Sequence, residues 1–166
     1  GAGGFAREVA WLIEEINLKT LTWNILGFYD EFAKDQSQIN GYKILTKDEF
    51  DNLDDAFVVV CIGDSEVRKN VVQRLNRKYK FATLVHPDVT ISKTTTIDEG
   101  SIICKGNIIT VNVCIGKHVI VNLDCTIGHD AKLEDFVTIL PSVNISGGVL
   151  LEECSNIGTG SAIIQN

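Results

Sequence analysis

The 166-residue chain carries 22 acidic against 15 basic residues, a net charge of −7. That balance argues against nucleic acid or an anionic membrane as the main partner, since both need a basic face. Apolar residues make up 45%, enough for a core in one large or two small domains. No apolar run approaches the roughly 20 residues needed to span a bilayer, and no signal-peptide pattern is present, so no membrane insertion is expected.

The chain opens on Gly1-Ala2-Gly3-Gly4-Phe5-Ala6, a G-x-G-x-x-G/A loop. Its glycines permit a tight turn and close approach of a ligand, and the following helix offers free N–H groups to a phosphate. A strand usually precedes such a loop, so the natural polypeptide is expected to begin earlier. The loop runs into an amphipathic helix with Val9, Leu12, Ile13 and Ile16 on one face. "WNILGFYDE" reads as a short strand ending in acids. An acid at the end of the second strand commonly meets a ribose hydroxyl, and Asp30 stands there, with Glu31 beside it.

"TKDEFDNL" carries a capping box, Thr46 as N-cap and Glu49 three residues on. "AFVVVCIGD" is a continuous apolar run suited to a strand covered on both faces. "SEVRKNVVQRLNRKY" is a second amphipathic helix, capped by Asp64 or Ser65, and "KFATLV" is a further strand. Strand and helix alternate, which predicts a small Rossmann-like α/β domain over residues 1–84. Gly63, at the end of the third strand, converges with the glycine loop and Asp30 on one crevice. The unit is too short for a dinucleotide and suits a single nucleotide, or a nucleotide joined to a sugar.

From Val85 onward the grammar changes. Every sixth residue from Val85 to Ile163 is Val, Ile or Leu, fourteen positions without a break. Four residues after each comes a mostly small side chain such as Ser101, Val113, Cys125 or Ala131. A period of six fits neither a helix nor a hairpin array. It fits a coil of three flat faces, with the aliphatic stacked on its equivalent in the next coil and the small residue in the inner corner. Residues 85–166 are therefore expected to form a parallel β-helix of hexapeptide repeats, between four and five coils long.

The solenoid has little structural use for a histidine, yet His129 lies two residues past Ile127 and points outward. Asp130 is adjacent, and Gly147 lies eighteen residues on, one coil away. A base and a backbone amide facing one cleft are what acyl transfer requires: the base takes a proton from the attacking group and the amide steadies the oxyanion. His118 reads as surface decoration at an outer turn. His86, before Pro87, reads as structural. The cysteines, Cys61, Cys104, Cys114, Cys125 and Cys154, form no CxxC pair and are odd in number, so they read as reduced and mostly buried, which fits a cytoplasmic protein.

"GAGGFAREV", "VHPDVTI" and "NLDCTIGHDAKLEDFVTILPSVNISGGV" together resemble the bacterial sugar acyltransferases with a left-handed β-helix. That family includes sialic acid O-acetyltransferases and UDP-4-amino-sugar N-acetyltransferases. The resemblance spans essentially the whole chain. It implies a left-handed helix sense, acetyl-CoA as acyl donor with no metal, a homotrimer with active sites between adjacent β-helices, and a sugar or nucleotide-sugar acceptor in surface glycan synthesis.

Position by position, the resemblance implies His129 as general base, Asp130 as its acidic partner and Asn122 as the asparagine beside them. It implies Gly147 as the amide meeting the thioester carbonyl, the Ser161-Ala162 backbone along the pantetheine arm, and Gly1, Gly3, Gly4, Asp30 and Gly63 around the nucleotide sugar. Phe5 stands where some members have histidine, and Ala6 where glycine is common. The family also continues with further coils, so the polypeptide is expected to extend past Asn166. N- and O-transfer share this machinery.

Two other functional classes are weighed. A zinc hydro-lyase on the same solenoid needs three histidines around one metal, whereas His118 and His129 are eleven residues apart, on different faces. A non-catalytic trimeric scaffold or sugar-binding protein would have no use for His129 and Gly147.

Overall fold

The computed structural model describes residues 1–33 and 37–165. The glycine loop leads into α1 (Gly4–Lys19), which buries Ala6, Val9, Ala10 and Leu12. Asn17 fastens the exit from this helix, accepting from Thr22 and Trp23 N–H and donating to Trp23 O. A two-stranded antiparallel hairpin follows, β1 (Gln38–Ile39) and β2 (Tyr42–Lys43). Then come α2 (Lys47–Asp51), β3 (Phe57–Val58), α3 (Ser65–Leu75) and β4 (Lys80–Phe81). The Thr46–Glu49 capping box forms as expected, and Asp64, not Ser65, caps α3.

The strands of this half are shorter than their composition suggests. In Trp23–Glu31 a single parallel bridge forms, Phe28 with Ile44; Phe28 N–H donates to Lys43 O and Leu45 N–H to Phe28 O. Gly27 sits at φ +150°, where a Cβ would come within 2.5 Å of Lys43 O. In "AFVVVCIGD" only Phe57–Val58 pairs, in parallel with β4. Both segments border a cavity of about 510 Å³ lined by apolar side chains that include Val9, Ile13, Phe28, Val60 and Leu84. Beyond these pairs neither segment forms a strand ladder among the described residues, and without a paired backbone a strand has no ladder.

The second half is a β-solenoid. Its fourteen strands run from Leu84–Val85 to Ala162–Ile163, one every six residues, and pair in parallel with the strand eighteen residues away. They make three sheets of four, five and five strands. Each strand's second residue is the aliphatic of the repeat, and Ile103, Val121, Ile127 and Ile139 are fully buried in one axial column with the corner residues Val113, Cys125 and Val137.

At eleven of the thirteen described corners the third residue after the aliphatic has positive φ. Asn112, His118, Asp124, Asp130, Phe136, Ser142 and Cys154 share this conformation with Gly100, Gly106, Gly148 and Gly160. Glycine, Asn and Asp carry the least strain there, and they hold seven of these eleven places.

One face of the prism is covered. Leu84, Ile102 and Ile120 point out from the sheet and are buried against Val9 and Leu12 of α1. Farther along the same face α3 docks through Ser65, which bonds Thr138 Oγ1 and Asn156 Oδ1 at 3.1 Å each, and through Arg68. The Arg68 side chain is buried and donates to the carbonyls of Ile62, Gly63, His118, Phe136 and Val137 and to Thr138 Oγ1. No carboxylate is among these partners, so the guanidinium is held by carbonyl dipoles and one hydroxyl, and burial draws its pKa down to about 10.

Candidate active site

His129 and Asp130 form the corner that follows the strand Thr126–Ile127. One coil earlier the same corner carries Val111 and Asn112, and one coil later Gly147 and Gly148. The three levels are bonded through the backbone: Asp130 N–H donates to Val111 O at 3.1 Å and Gly148 N–H to His129 O at 2.7 Å. Asp130 sits at φ 60°, and from there its Oδ2 lies 2.8 Å from His129 Nδ1. Both side chains are 58% exposed.

A carboxylate accepts only, so this contact places the ring proton on Nδ1 and leaves Nε2 as a lone-pair acceptor. Asn112 Nδ2 donates to the other Asp130 oxygen at 3.1 Å. The His129 contact and then the Asn112 contact hold the Asp130 carboxyl below its ordinary pKa range. Gly147 is buried directly against the imidazole. A Cβ there would lie 2.5 Å from both Cε1 and Nε2 of His129. Its N–H has no partner among the described residues.

The remaining acyl-transfer candidates lie elsewhere. Asn122 begins the corner at the opposite end of the strand Thr126–Ile127; its Oδ1 accepts from Leu123 N–H and its carbonyl from Asn107. Ser161 and Ala162 lie two coils further along that same corner, where Ser161 O accepts from Asn144 N–H at 2.9 Å. One protomer thus divides the set between the two edges of one sheet. His129, Asp130 and Gly147 lie on one edge, and Asn122, Ser161 and Ala162 on the other.

In the first half, the glycine loop and Asp30 do converge. Asp30 Oδ2 accepts from Ala2 N–H at 2.8 Å and Oδ1 from Phe32 N–H at 2.9 Å. Burial raises this carboxyl's pKa, but the N–H donors of Phe32 and Ala2 outweigh it and hold the group below the ordinary range. Gly1 stands beside both Asp30 and the Cys61 carbonyl. Gly3 is the N-cap of α1 with no side-chain cap, and no acidic residue lies in the first turn, so the helix start is open to an anion. Gly63 is tied to the solenoid, its carbonyl accepting from Thr138 Oγ1 at 2.9 Å.

Comparison with known proteins adds to this geometry. Residues 1–75 match the PglD N-terminal domain family. Across 99% of its length the chain is 27% identical to GDP-perosamine N-acetyltransferase of Escherichia coli O157:H7, covering 76% of that protein. The acetyltransferase domain of PglB from Neisseria gonorrhoeae FA1090, solved with acetyl coenzyme A, superposes with a TM-score of 0.88 at 29% identity, over 98% of this chain and 78% of that one. WeeI from Acinetobacter baumannii AYE superposes at 0.74 and 25% identity, over 98% and 85%. The chain is a sugar acyltransferase built on a β-helix.

One reading of this acyltransferase's histidines needs revision. His118 is not surface decoration: its residue is 4% exposed, and its ring stacks on Phe136 at 5.2 Å and meets Phe81 edge-on at 4.7 Å. Gly100, one coil earlier, makes room for it. Burial pushes the His118 pKa down to about 4, so it is a neutral core side chain. The reason is that its corner lies under Phe81 and the buried Arg68, which a six-residue period does not reveal.

His86 is buried, as a structural residue should be. Its Nδ1 accepts from Asp88 N–H at 3.0 Å, while Nε2 has no bond and lies 3.8 Å from Glu15 Oε2. Asn112 drew no attention in the sequence. The signal for it was positional: it stands eighteen residues before Asp130, one coil away.

Of the cysteines, Cys104 and Cys125 are buried and Cys114 is exposed. Burial pushes the thiols of Cys61 and Cys104 up to about 12, so neither serves as a nucleophile.

Proposed function

We propose that this acyltransferase moves the acetyl group of acetyl-CoA onto the amino group of a nucleotide-linked sugar, with His129 as general base. The observation that carries this reading is the 2.8 Å contact between His129 Nδ1 and Asp130, which presents Nε2 as the free base. The relatives named as N-acetyltransferases favour an amine over a hydroxyl acceptor.

As the neutral amine attacks the thioester carbonyl, its nitrogen forms the new C–N bond and its proton passes to Nε2. The tetrahedral oxyanion is assigned to the Gly147 amide, reached by a carbonyl oxygen entering beside the ring. Collapse breaks the C–S bond, and the imidazolium returns the proton to the departing thiolate. Asp130 steadies the imidazolium.

The nucleotide occupies the crevice of Gly1, Gly3, Gly4 and Asp30, with its phosphates at the start of α1 and Gly63 at the rim. The domain boundary assigned to this reading is 1–84 for acceptor binding and 85–166 for acyl transfer. Because Asn122, Ser161 and Ala162 lie across the sheet from His129, they join it only if a second copy brings its other corner alongside. That supports a homotrimer in which each active site lies between two β-helices, one supplying the base and the other the pantetheine channel. The setting is cytoplasmic surface-glycan synthesis.

The test is a thiol-release assay with acetyl-CoA against a panel of GDP- and UDP-linked amino sugars, other nucleotide sugars and free sialic acid. Turnover is expected with a nucleotide-linked amino sugar. Turnover confined to hydroxyl acceptors, or to none despite folded protein, would overturn the reading.

A further inference from the structure

We propose that Asn112 is a positioning residue for acyl transfer, acting through Asp130 on His129; the inference rests on the reading of His129 as the base. Asp130 is an exposed carboxylate on a surface corner, free in principle to rotate about its last torsion. A single contact to an equally exposed imidazole would not fix it. Asn112 supplies a second fastening. Its Nδ2 donates to Oδ1 at 3.1 Å while Oδ2 faces His129 Nδ1 at 2.8 Å, so the two carboxylate oxygens are divided between two donors on different coils.

The backbone makes this arrangement rigid. Asn112 and Asp130 are both in the left-handed conformation, φ 59° and 60°, at equivalent corner positions of successive coils. Their Cα–Cβ bonds therefore point the same way, one coil apart. Asn112 is itself anchored from below, its N–H donating to Thr94 Oγ1 at 3.0 Å. On the next coil the equivalent residue is Gly148, which has no side chain to compete for the carboxylate. The ladder of polar side chains thus runs Thr94, Asn112, Asp130 and then turns sideways to His129. An amide suits position 112 in this role. It donates without bringing charge, whereas a carboxylate there would repel Asp130.

The experiment is a double-mutant cycle on the full-length enzyme: Asn112→Ala, Asp130→Ala, the pair together, and Thr94→Ala and His129→Ala as controls. Removing a residue that orients a catalytic group through a hydrogen bond commonly costs about tenfold in rate. Asn112→Ala is expected to lower kcat by about that much with KM for both substrates unchanged. In the Asp130→Ala background it is expected to cost nothing further, as residues acting through one another are non-additive. Thr94→Ala is expected to lower kcat by less than Asn112→Ala, since Thr94 touches only the Asn112 backbone N–H.

The ring ¹⁵N shifts of His129 give a readout independent of turnover: an Nδ1–H tautomer in the wild type and a mixture in Asn112→Ala. An equal loss from Asn112→Ala in both backgrounds, a change in KM alone, or an unchanged tautomer would overturn the proposal. Full activity in His129→Ala would instead overturn the base assignment, whatever the cycle shows.

Discussion

Gly147 lies flat against the imidazole of His129, close enough that a methyl group on its Cα would sit 2.5 Å from both Cε1 and Nε2. The spacing of eighteen residues puts it one coil above the ring. Gly147→Ala is compatible with the backbone, which has no positive φ there. The ring is more than half exposed and is expected to swing outward rather than strain the fold. The expected outcome is an unfolding midpoint close to that of the wild type with kcat lowered about tenfold or more, since misplacing a reacting group by about 1 Å can cost up to 100-fold. Steady-state kinetics beside a thermal melt checks both halves.

Arg68 joins the two halves of the molecule. Its six acceptors come from the Ile62–Gly63 turn and from the solenoid corners at His118 and Phe136–Thr138. Truncation strands several buried carbonyls at once, each worth about 1–3 kcal/mol when left unsatisfied. Arg68→Ala is expected to destabilise by at least about 3 kcal/mol in denaturant unfolding. Arg68→Lys should recover only part of this, because an ammonium lacks the planar fork that reaches six oxygens.

His118 makes the fold acid-sensitive. Its folded-state pKa, about 4, lies below the unfolded value of about 6.5. The unfolded chain therefore binds the extra proton between these limits. The contribution to stability is complete above about pH 6.5, declines as the pH falls, and is lost below about 4; its full size is up to about 3 kcal/mol. Replacing His118 with Asn, which tolerates the left-handed backbone, is expected to lower overall stability but also to flatten its pH dependence in that window by up to one proton. Unfolding curves collected from pH 7 to pH 4 measure the slope, and parallel slopes for the two proteins would refute the assignment.

Asp30 holds the glycine loop to the crevice through Ala2 N–H and its own turn through Phe32 N–H. Asp30→Ala is expected to raise the acceptor KM about tenfold or more, while KM for acetyl-CoA stays as it was. A rise in both would place Asp30 in general stability and not in acceptor binding.

The solenoid was legible in the sequence because its signal is one buried aliphatic at a fixed period, and burial is what the period encodes. All fourteen strands end on those positions. The contact between His129 and Gly147 was legible for the same reason, since eighteen residues make one coil. The fate of His118 was not. It occupies a corner like His129, but which of the three corners lies under α3 and Phe81 depends on the docking of the other half. The short strands of the first half were overestimated. "WNILGFYDE" and "AFVVVCIGD" have strand composition, but a ladder needs a partner backbone, and composition does not count partners. Asn112 was missed because the one-coil step was taken forward from His129 and not back from Asp130.

The central claim is that His129 is the base. The most direct measurement is single-turnover acetyl transfer by wild type and His129→Ala under saturating acetyl-CoA and acceptor, with binding of both substrates and the unfolding midpoint measured in parallel. The account predicts a rate lowered by about 10²–10⁴-fold, the usual worth of a general base, with binding and fold intact. A rate within a few-fold of wild type would contradict it and leave His129 as a decoration on the corner.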